Sequence, residues 1–194
     1  MKKIALLSLT FLFLCISLAL ADEGVKPRSG LQGIEFLTGY GKGGLRAQKA
    51  YQVAPFIVDL DFDFKQITKK IGFNPPSLVQ FQLEPFMDWI YGPHSNIETG
   101  VGLMFKFGLV PDTWKFQLYI KGGSAPSFTS LKYREEADGF NFLSSGCAGF
   151  HYFITKKIAL TAEYRYRHLS NAGRASPNRG VNTQLMLAGV AYTF

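Results

Sequence analysis

A histidine and a serine separated by one residue stand near the end of the 194-residue chain, within residues 164–182, YRYRHLSNAGRASPNRGVN. A histidine that reaches a serine hydroxyl can remove its proton, which makes the serine a nucleophile for acyl transfer. The imidazole needs an acceptor for its other N–H, and N–H donors must stabilise the oxyanion that forms. His168, Ser170, Asn171 and Asn178 are therefore candidates for ester hydrolysis, provided that the fold brings them together.

Strands must position these residues, because most of the chain alternates apolar and polar side chains. In residues 56–64, FIVDLDFDF, three aspartates occupy every second position and apolar side chains stand between them. A period of two is typical of strands with one apolar and one polar face. Several alternating runs extend over about ten residues or more, as bilayer-crossing strands require (~9–11 residues), whereas most strands have ~5–6. In hydrocarbon every backbone N–H and C=O must be paired, so such strands close into a barrel.

The sequence predicts an all-β fold, an eight-stranded antiparallel transmembrane β-barrel of the bacterial outer membrane. The predicted strands cover residues 31–41, 49–64, 78–91, 96–109, 113–123, 139–154, 157–169 and 181–194. Pro55 and Pro85 cannot donate ladder hydrogen bonds, and we expect bulges there. Side chains fill the lumen of an eight-stranded barrel, so charged residues on the inward faces should pair with each other. They are Asp59, Asp61, Asp63, Glu84, Glu98, Glu163, Lys106, Lys115, Lys121, Arg165 and Arg167.

Both ends of the chain indicate export to the outer membrane of a Gram-negative cell. Residues 1–21 combine two lysines, an apolar run and small residues that end at Ala21, the pattern of a cleaved secretory signal peptide. Residues 22–194 then form the single barrel domain. The last strand ends on Phe194, which resembles the C-terminal signal of bacterial outer-membrane barrels. The formal net charge of +7 suits anionic lipid headgroups, and the export signal argues against a nucleic acid partner.

The alternation also predicts which way the candidate catalytic side chains point. On the seventh strand Arg167 points inward, so His168 and Ser170 fall on the lipid-facing side. On the eighth strand the outward positions include Asn182. Both chain termini of an eight-stranded barrel lie on the periplasmic side, which puts this end of the two strands at the cell surface. A polar cluster that faces lipid at the level of the outer leaflet does not help folding, which favours a functional role.

The strings HLSNAG and PNRGVN closely resemble the active-site segment of the PagL family of lipid A 3-O-deacylases. The resemblance implies an eight-stranded barrel with a Ser/His/Glu triad on its outer surface. Such a barrel removes an ester-linked acyl chain from lipid A without a cofactor, and no metal site is implied. By position, the resemblance makes His168 the base, Ser170 the nucleophile and Asn178 an oxyanion donor. Asn171 is a weaker candidate for the oxyanion role.

One position departs from the family pattern, because the acidic member of the triad aligns with Asn182. An amide oxygen can accept the imidazole N–H and orient the ring, but it carries no full charge to stabilise the imidazolium. The departure predicts a slower enzyme, an enzyme that uses another carboxylate, or an inactive PagL relative. Glu163 is expected to point into the lumen, which makes it a poor substitute.

The partners implied are lipid A, or lipopolysaccharide, as substrate and the surrounding outer-membrane lipids. Arg174 and Arg179 could bind the phosphates of lipid A, or they could be solvated loop charges. For the aspartates at residues 59–63, ion pairing is expected rather than metal binding. Whether two barrels pair as a homodimer is left open by the sequence.

The main alternative is a small structural or adhesive barrel like OmpA or OmpX, without chemistry. The predicted external loop at residues 124–139, SAPSFTSLKYREEADG, favours this alternative, because such a barrel would bind through its outer loops. A small pore is disfavoured, since charged side chains fill the lumen of an eight-stranded barrel. An enzyme and a structural barrel differ in a measurable respect, because only the enzyme changes lipid A.

Overall fold

The computed structural model describes residues 30–45, 51–129 and 135–194. The predicted signal peptide, residues 1–21, lies outside them. In the described part of the chain, eight strands form a closed antiparallel barrel, in which each strand pairs with the next and the last pairs with the first. This confirms the predicted fold class. The strands are β1 (Leu31–Gly43), β2 (Tyr51–Asp63), β3 (Ser77–Gly92), β4 (Asn96–Pro111), β5 (Phe116–Thr129), β6 (Gly139–Phe153), β7 (Ile158–Ser170) and β8 (Val181–Thr193).

The two rims of the barrel carry different connections. The terminal rim holds the start of β1, the end of β8 and the β2–β3, β4–β5 and β6–β7 connections. The loop rim holds the other four connections, including residues 171–180 between β7 and β8. Between β2 and β3 lies a short helix, α1 (Lys65–Thr68), followed by a 3-10 turn at Lys69–Ile71. None of the helical segments in the described residues has the length and apolar character that crossing a membrane requires.

The observed strand bounds lie within about two residues of the predicted ones, except at β5. Residues 124–129, which the sequence places in a loop, extend β5, because Ala125, Ser127 and Thr129 continue its buried face. The predicted bulges at Pro55 and Pro85 are wrong, since the described pairing passes through both prolines without a shift in register. Each proline removes a single N–H from the ladder, and the strands accommodate this without an extra residue.

Most of the charged side chains predicted in the lumen pair there, whereas Glu98 accepts the Tyr51 hydroxyl at 3.4 Å in the described residues. The Nζ atom of Lys121 lies 2.7 to 3.2 Å from one carboxylate oxygen of each of Asp59, Glu84 and Glu163. Arg165 joins two of these carboxylates, with its Nη2 atom 2.8 Å from both Glu84 Oε2 and Glu163 Oε1. Buried charges are tolerated when they are paired and hydrogen-bonded. The network therefore closes the interior to a molecule as large as a lipid.

Lys115 and Asp63 lie outside this network. Lys115 is exposed on the β4–β5 connection, where its Nζ atom is 4.9 Å from the centre of the Tyr152 ring. The prediction that it faces the lumen is wrong, because it precedes β5 and strand alternation does not set its direction. Asp63 ends β2, is half-buried, and accepts the backbone N–H of Lys65 at 2.9 Å, which starts α1.

The outer wall carries a band of exposed apolar side chains. On β4, β5 and β7 these include Leu103, Phe105, Ile120, Leu160, Tyr164 and Tyr166. A contiguous apolar surface of this kind is unfavourable in water and suits a lipid environment. Polar side chains on this wall therefore need an explanation other than solvation.

Candidate active site

β7 and β8 pair so that His168 stands directly opposite Asn182. Both side chains are exposed on the outer wall, whereas Arg167 and Leu169 are buried inside the barrel. Ser170, the last residue of β7, is half-buried two positions further along the same face as His168. The structure thus brings these three candidate residues together on the outer wall beside the loop rim.

A short hydrogen bond holds the His168 imidazole. Its Nδ1 atom lies 2.6 Å from Oδ1 of Asn182. Because an amide oxygen can only accept, the Nδ1 atom carries the proton and donates it. The Nε2 atom then keeps its lone pair, which is the form that a general base needs.

Gly180 packs against one side of this imidazole. Its φ of +71° lies in the left-handed region that favours glycine. A Cβ atom at this position would lie 2.5 Å from Cε1 and 3.0 Å from Nε2 of His168. Backbone conformation and the space beside the base therefore both require glycine here.

The Ser170 hydroxyl faces the β7–β8 connection. Its O–H donates to Oδ1 of Asn178 at 3.0 Å, and its oxygen accepts the N–H of Ala172 at 3.2 Å. Among the described residues, the hydroxyl thus bonds to Asn178 and not to His168. Residues two apart on a strand have Cα atoms about 6.6 Å apart on one face, so the Ser170 and His168 side chains are neighbours on the outer wall.

N–H groups beside Ser170 are placed where they could stabilise an oxyanion. The N–H of Ala172 points at Ser170 Oγ from a turn in which Ala172 and Gly173 have φ values of +55° and +77°. The Nδ2 atom of Asn178 has no acceptor within the described residues and lies 3.9 Å from a Cβ atom built on Gly173. A backbone donor and a side-chain donor therefore flank the candidate nucleophile, as ester hydrolysis requires.

Asn171 holds the β7–β8 connection together and does not face the hydroxyl. It is buried, and its Nδ2 atom donates to the carbonyl oxygens of Ala175 at 3.0 Å and Pro177 at 3.2 Å. Its Oδ1 atom accepts the N–H of Ala175 at 3.4 Å. Of the two amides that the sequence suggests as oxyanion donors, that of Asn178 is the better placed.

Glu136 lies beside this cluster, and sequence reasoning missed it. Its side chain is fully buried, with Oε1 accepting the N–H of Asn171 at 2.9 Å and Oε2 accepting that of Gly180 at 3.1 Å. Burial raises the pKa of Glu136 above its ordinary value, although these two hydrogen bonds and the charge of His168 act in the opposite direction. No local signal marks this residue, because it stands in the string REEADG, which is typical of a solvated loop.

The other residues singled out from the sequence surround this centre. Arg174 and Arg179 are exposed on the β7–β8 connection, and the Arg174 guanidinium lies 5.0 Å from the centre of the Phe140 ring. Glu163 points into the lumen, as expected, where its Oε2 atom accepts the Tyr119 hydroxyl at 3.0 Å. In the part of the chain that the structure describes, no group of three or more His, Cys, Asp or Glu side chains could hold a metal ion.

Comparisons with known proteins bear on this geometry. A family model described as Lipid A 3-O-deacylase (PagL) matches residues 59–191, which include all of β7 and most of β8. No curated protein matches the chain by sequence.

Two solved structures share the architecture. The crystal structure of the outer membrane enzyme PagL matches with a TM-score of 0.64 and 14% identity, over 80% of this chain and 97% of that one. The crystal structure of Neisserial surface protein A matches with a TM-score of 0.62 and 14% identity, over 86% of this chain and 98% of that one. At these identities the likeness shows the barrel fold alone.

Proposed function

The chain belongs to the PagL family of lipid A 3-O-deacylases, and on this basis we propose that it hydrolyses an ester-linked acyl chain of lipid A. The observation that carries the proposal is the 2.6 Å hydrogen bond between His168 and Asn182 on the outer wall, beside Ser170. Lipid A is anchored in its leaflet by acyl chains and cannot enter a lumen filled with paired charges. Its esters can meet the protein only on the outer wall, where this cluster lies.

Acylation begins when Ser170 Oγ attacks the carbonyl carbon of the ester and the hydroxyl proton passes to Nε2 of His168. The carbonyl oxygen becomes an oxyanion, which the Ala172 N–H and the Asn178 Nδ2 group are placed to bind. The bond between the carbonyl carbon and the sugar oxygen then breaks, and His168 returns the proton to that oxygen. The products are a free sugar hydroxyl and an acyl ester on Ser170.

Water completes the reaction by the same route. His168 takes a proton from a water molecule as the water oxygen attacks the acyl ester on Ser170. The second tetrahedral intermediate expels Ser170 Oγ, which regains its proton from His168. The acyl chain leaves as a fatty acid, and the ester and water supply every atom without a cofactor.

The surroundings of the cluster fit this substrate. With the loop rim at the cell surface, the cluster lies in the outer leaflet of the outer membrane, where lipid A resides. Arg174 and Arg179 extend beside it, and guanidinium groups bind phosphates through paired N–H donors. Export to this membrane requires a signal peptide, and the proposal includes its cleavage after residue 21. Asn182 orients the base without adding charge, so the enzyme is slower than one with a carboxylate at this position.

Mass spectrometry of lipid A from cells that express each variant tests the proposal. The wild-type chain should yield lipid A that lacks one acyl chain, and Ser170→Ala should leave lipid A intact. Ser144→Ala is the matched control, because Ser144 is exposed on the same wall and pairs with His168 across β6 and β7. It should leave deacylation unchanged. Deacylation by Ser170→Ala at the wild-type rate would show that the assignment is wrong.

The second candidate is a family member that folds without hydrolysing lipid A. Two observations favour it, since Asn182 is uncharged and the Ser170 hydroxyl bonds to Asn178 and not to His168 in the described residues. This candidate expects identical lipid A from cells with wild-type chain, with Ser170→Ala, and with no chain. The same experiment therefore decides between the two.

A further inference from the structure

The carboxylate of Glu136 reaches the active site from a separate connection of the barrel. Glu136 lies between β5 and β6, whereas His168 and Ser170 lie on β7. Its backbone forms an antiparallel bridge with Asn178, the residue that accepts the Ser170 hydroxyl. Two backbone hydrogen bonds, of 2.7 and 3.0 Å, form this bridge. The two connections are thus joined backbone to backbone directly beside the nucleophile.

The side chain of Glu136 fixes both ends of the β7–β8 connection. Asn171 is the first residue after β7, and Gly180 is the last before β8. The carboxylate accepts an N–H from each, at 2.9 and 3.1 Å. Two backbone donors favour the charged form of a carboxylate. A single buried carboxylate therefore joins the two ends of the connection.

Gly180 brings this charge close to the base. Its N–H donates to Glu136, and a Cβ atom built on it would lie 2.5 Å from Cε1 of His168. A carboxylate and an imidazole that both contact one glycine are close enough for electrostatic attraction, which is stronger where water is excluded. Among the described residues of the two connections, the other charged groups are Glu135, Asp138, Arg174 and Arg179.

We propose that Glu136 is a positioning residue that supplies the negative charge which Asn182 lacks. This inference rests on the proposed hydrolase function and gives the carboxylate two roles. It holds the β7–β8 connection in the conformation that sets N–H donors beside Ser170. It also stabilises the imidazolium that forms when His168 takes the serine proton, and it does so without touching the substrate.

A double-mutant cycle separates the charge from the structural support. Glu136→Gln removes the charge and keeps nearly the same shape, whereas Glu136→Asp keeps the charge. Both substitutions are made in the wild-type chain and in the Asn182→Glu background, where a carboxylate meets His168 directly. We would measure kcat and KM for the deacylation of lipid A in detergent micelles, with thermal unfolding of each barrel as the folding control.

In the wild-type chain, Glu136→Gln should lower kcat about tenfold and change KM less than about twofold. In the Asn182→Glu background the same substitution should lower kcat less than about threefold, because the imidazolium already has a charged partner. Glu136→Asp should keep more of kcat than Glu136→Gln in the wild-type chain. If Glu136→Gln does not fold, Glu136→Asp and Glu136→Asn give the same comparison of a charged with an uncharged side chain, each one methylene group shorter.

Equal losses from Glu136→Gln in both backgrounds would overturn the electrostatic role, because a purely structural clamp costs the same in each. An unchanged kcat in a folded Glu136→Gln barrel would overturn both roles. A folded wild-type barrel that releases no acyl chain would instead overturn the proposed function, and this inference with it. That outcome appears before any variant is made, so the two failures are distinguishable.

Discussion

Asn182 sets the electrostatics of the site at the scale of a single residue. Its amide oxygen orients the imidazole of His168 at 2.6 Å but gives it no charged partner. The sequence predicts that His168 and Ser170 share a face, because strand periodicity requires it. It does not predict that the Ser170 hydroxyl bonds to Asn178, since that rotamer depends on a turn whose form no periodic pattern encodes.

Asn182→Glu should raise kcat/KM for lipid A deacylation by about tenfold, because a carboxylate stabilises the imidazolium that an amide only orients. Gln184→Glu is the matched control. It adds the same charge on the same exposed face of β8, opposite Tyr166 and not opposite His168. Kinetics in mixed micelles would measure both. An equal gain in the control would mean that charge on this wall, and not contact with the base, changes the rate.

Gly180→Ala should lower kcat by about a hundredfold or more, because the new methyl group would lie 2.5 Å from Cε1 of His168 and must displace the base. Backbone strain alone also has a cost, so a second glycine is needed for comparison. Gly72→Ala, at a φ of +82° with nothing within 4 Å of its Cβ position, introduces that strain far from the site. Gly72→Ala should keep its activity in the same assay, and wild-type kcat in Gly180→Ala would contradict the described packing.

At the scale of the elements, alternation predicted the strands well and the connections poorly. Period-two patterning located seven of the eight described strands within about two residues, because each strand has one face in the lumen and one on the outer wall. At β5, four of residues 124–129 are small or polar and Pro126 stands among them, which obscured the pattern. The role of Glu136 could not be predicted from the sequence, because its partner Gly180 lies 44 residues away and long-range contacts between loops leave no local signal.

The β7–β8 connection should act as the phosphate-binding element of the proposed enzyme. Replacing Arg174 and Arg179 together by Ala should raise KM about tenfold and leave kcat nearly unchanged, because the lost contacts bind the phosphates and not the reacting ester. Lys69→Ala with Lys70→Ala is the control, since it removes the same charge from the terminal rim. Steady-state kinetics on lipid A distinguish the outcomes, and an unchanged KM would make the two arginines solvated loop charges.

At the scale of the whole molecule, the interior explains why the proposed chemistry lies outside. Lys121 and Arg165 join carboxylates from several strands into a network that occupies the lumen. The same strands present apolar side chains outward, so each strand has one face in the charged interior and one face on the apolar outer wall. A polar cluster that acts on a membrane lipid can then be built only on the outer wall.

Lys121→Met should lower the free energy of unfolding by about 3–5 kcal/mol, because it leaves three buried carboxylates without the cation they share. Lys115→Met, on the exposed β4–β5 connection, should leave the free energy of unfolding unchanged within error. Denaturant unfolding in detergent micelles measures both. Equal stabilities for the two variants would contradict the described lumen network.

If the proposed function holds, the catalytic face opens sideways, and not through either mouth of the barrel, and receives its substrate by lateral diffusion within one leaflet. The encounter rate then depends on the number of lipid A molecules per unit of membrane surface. At a constant bulk concentration of lipid A, adding inert detergent to the mixed micelles should lower the turnover rate, as in surface-dilution kinetics. A crowded, lipopolysaccharide-rich monolayer would keep such an enzyme close to saturation.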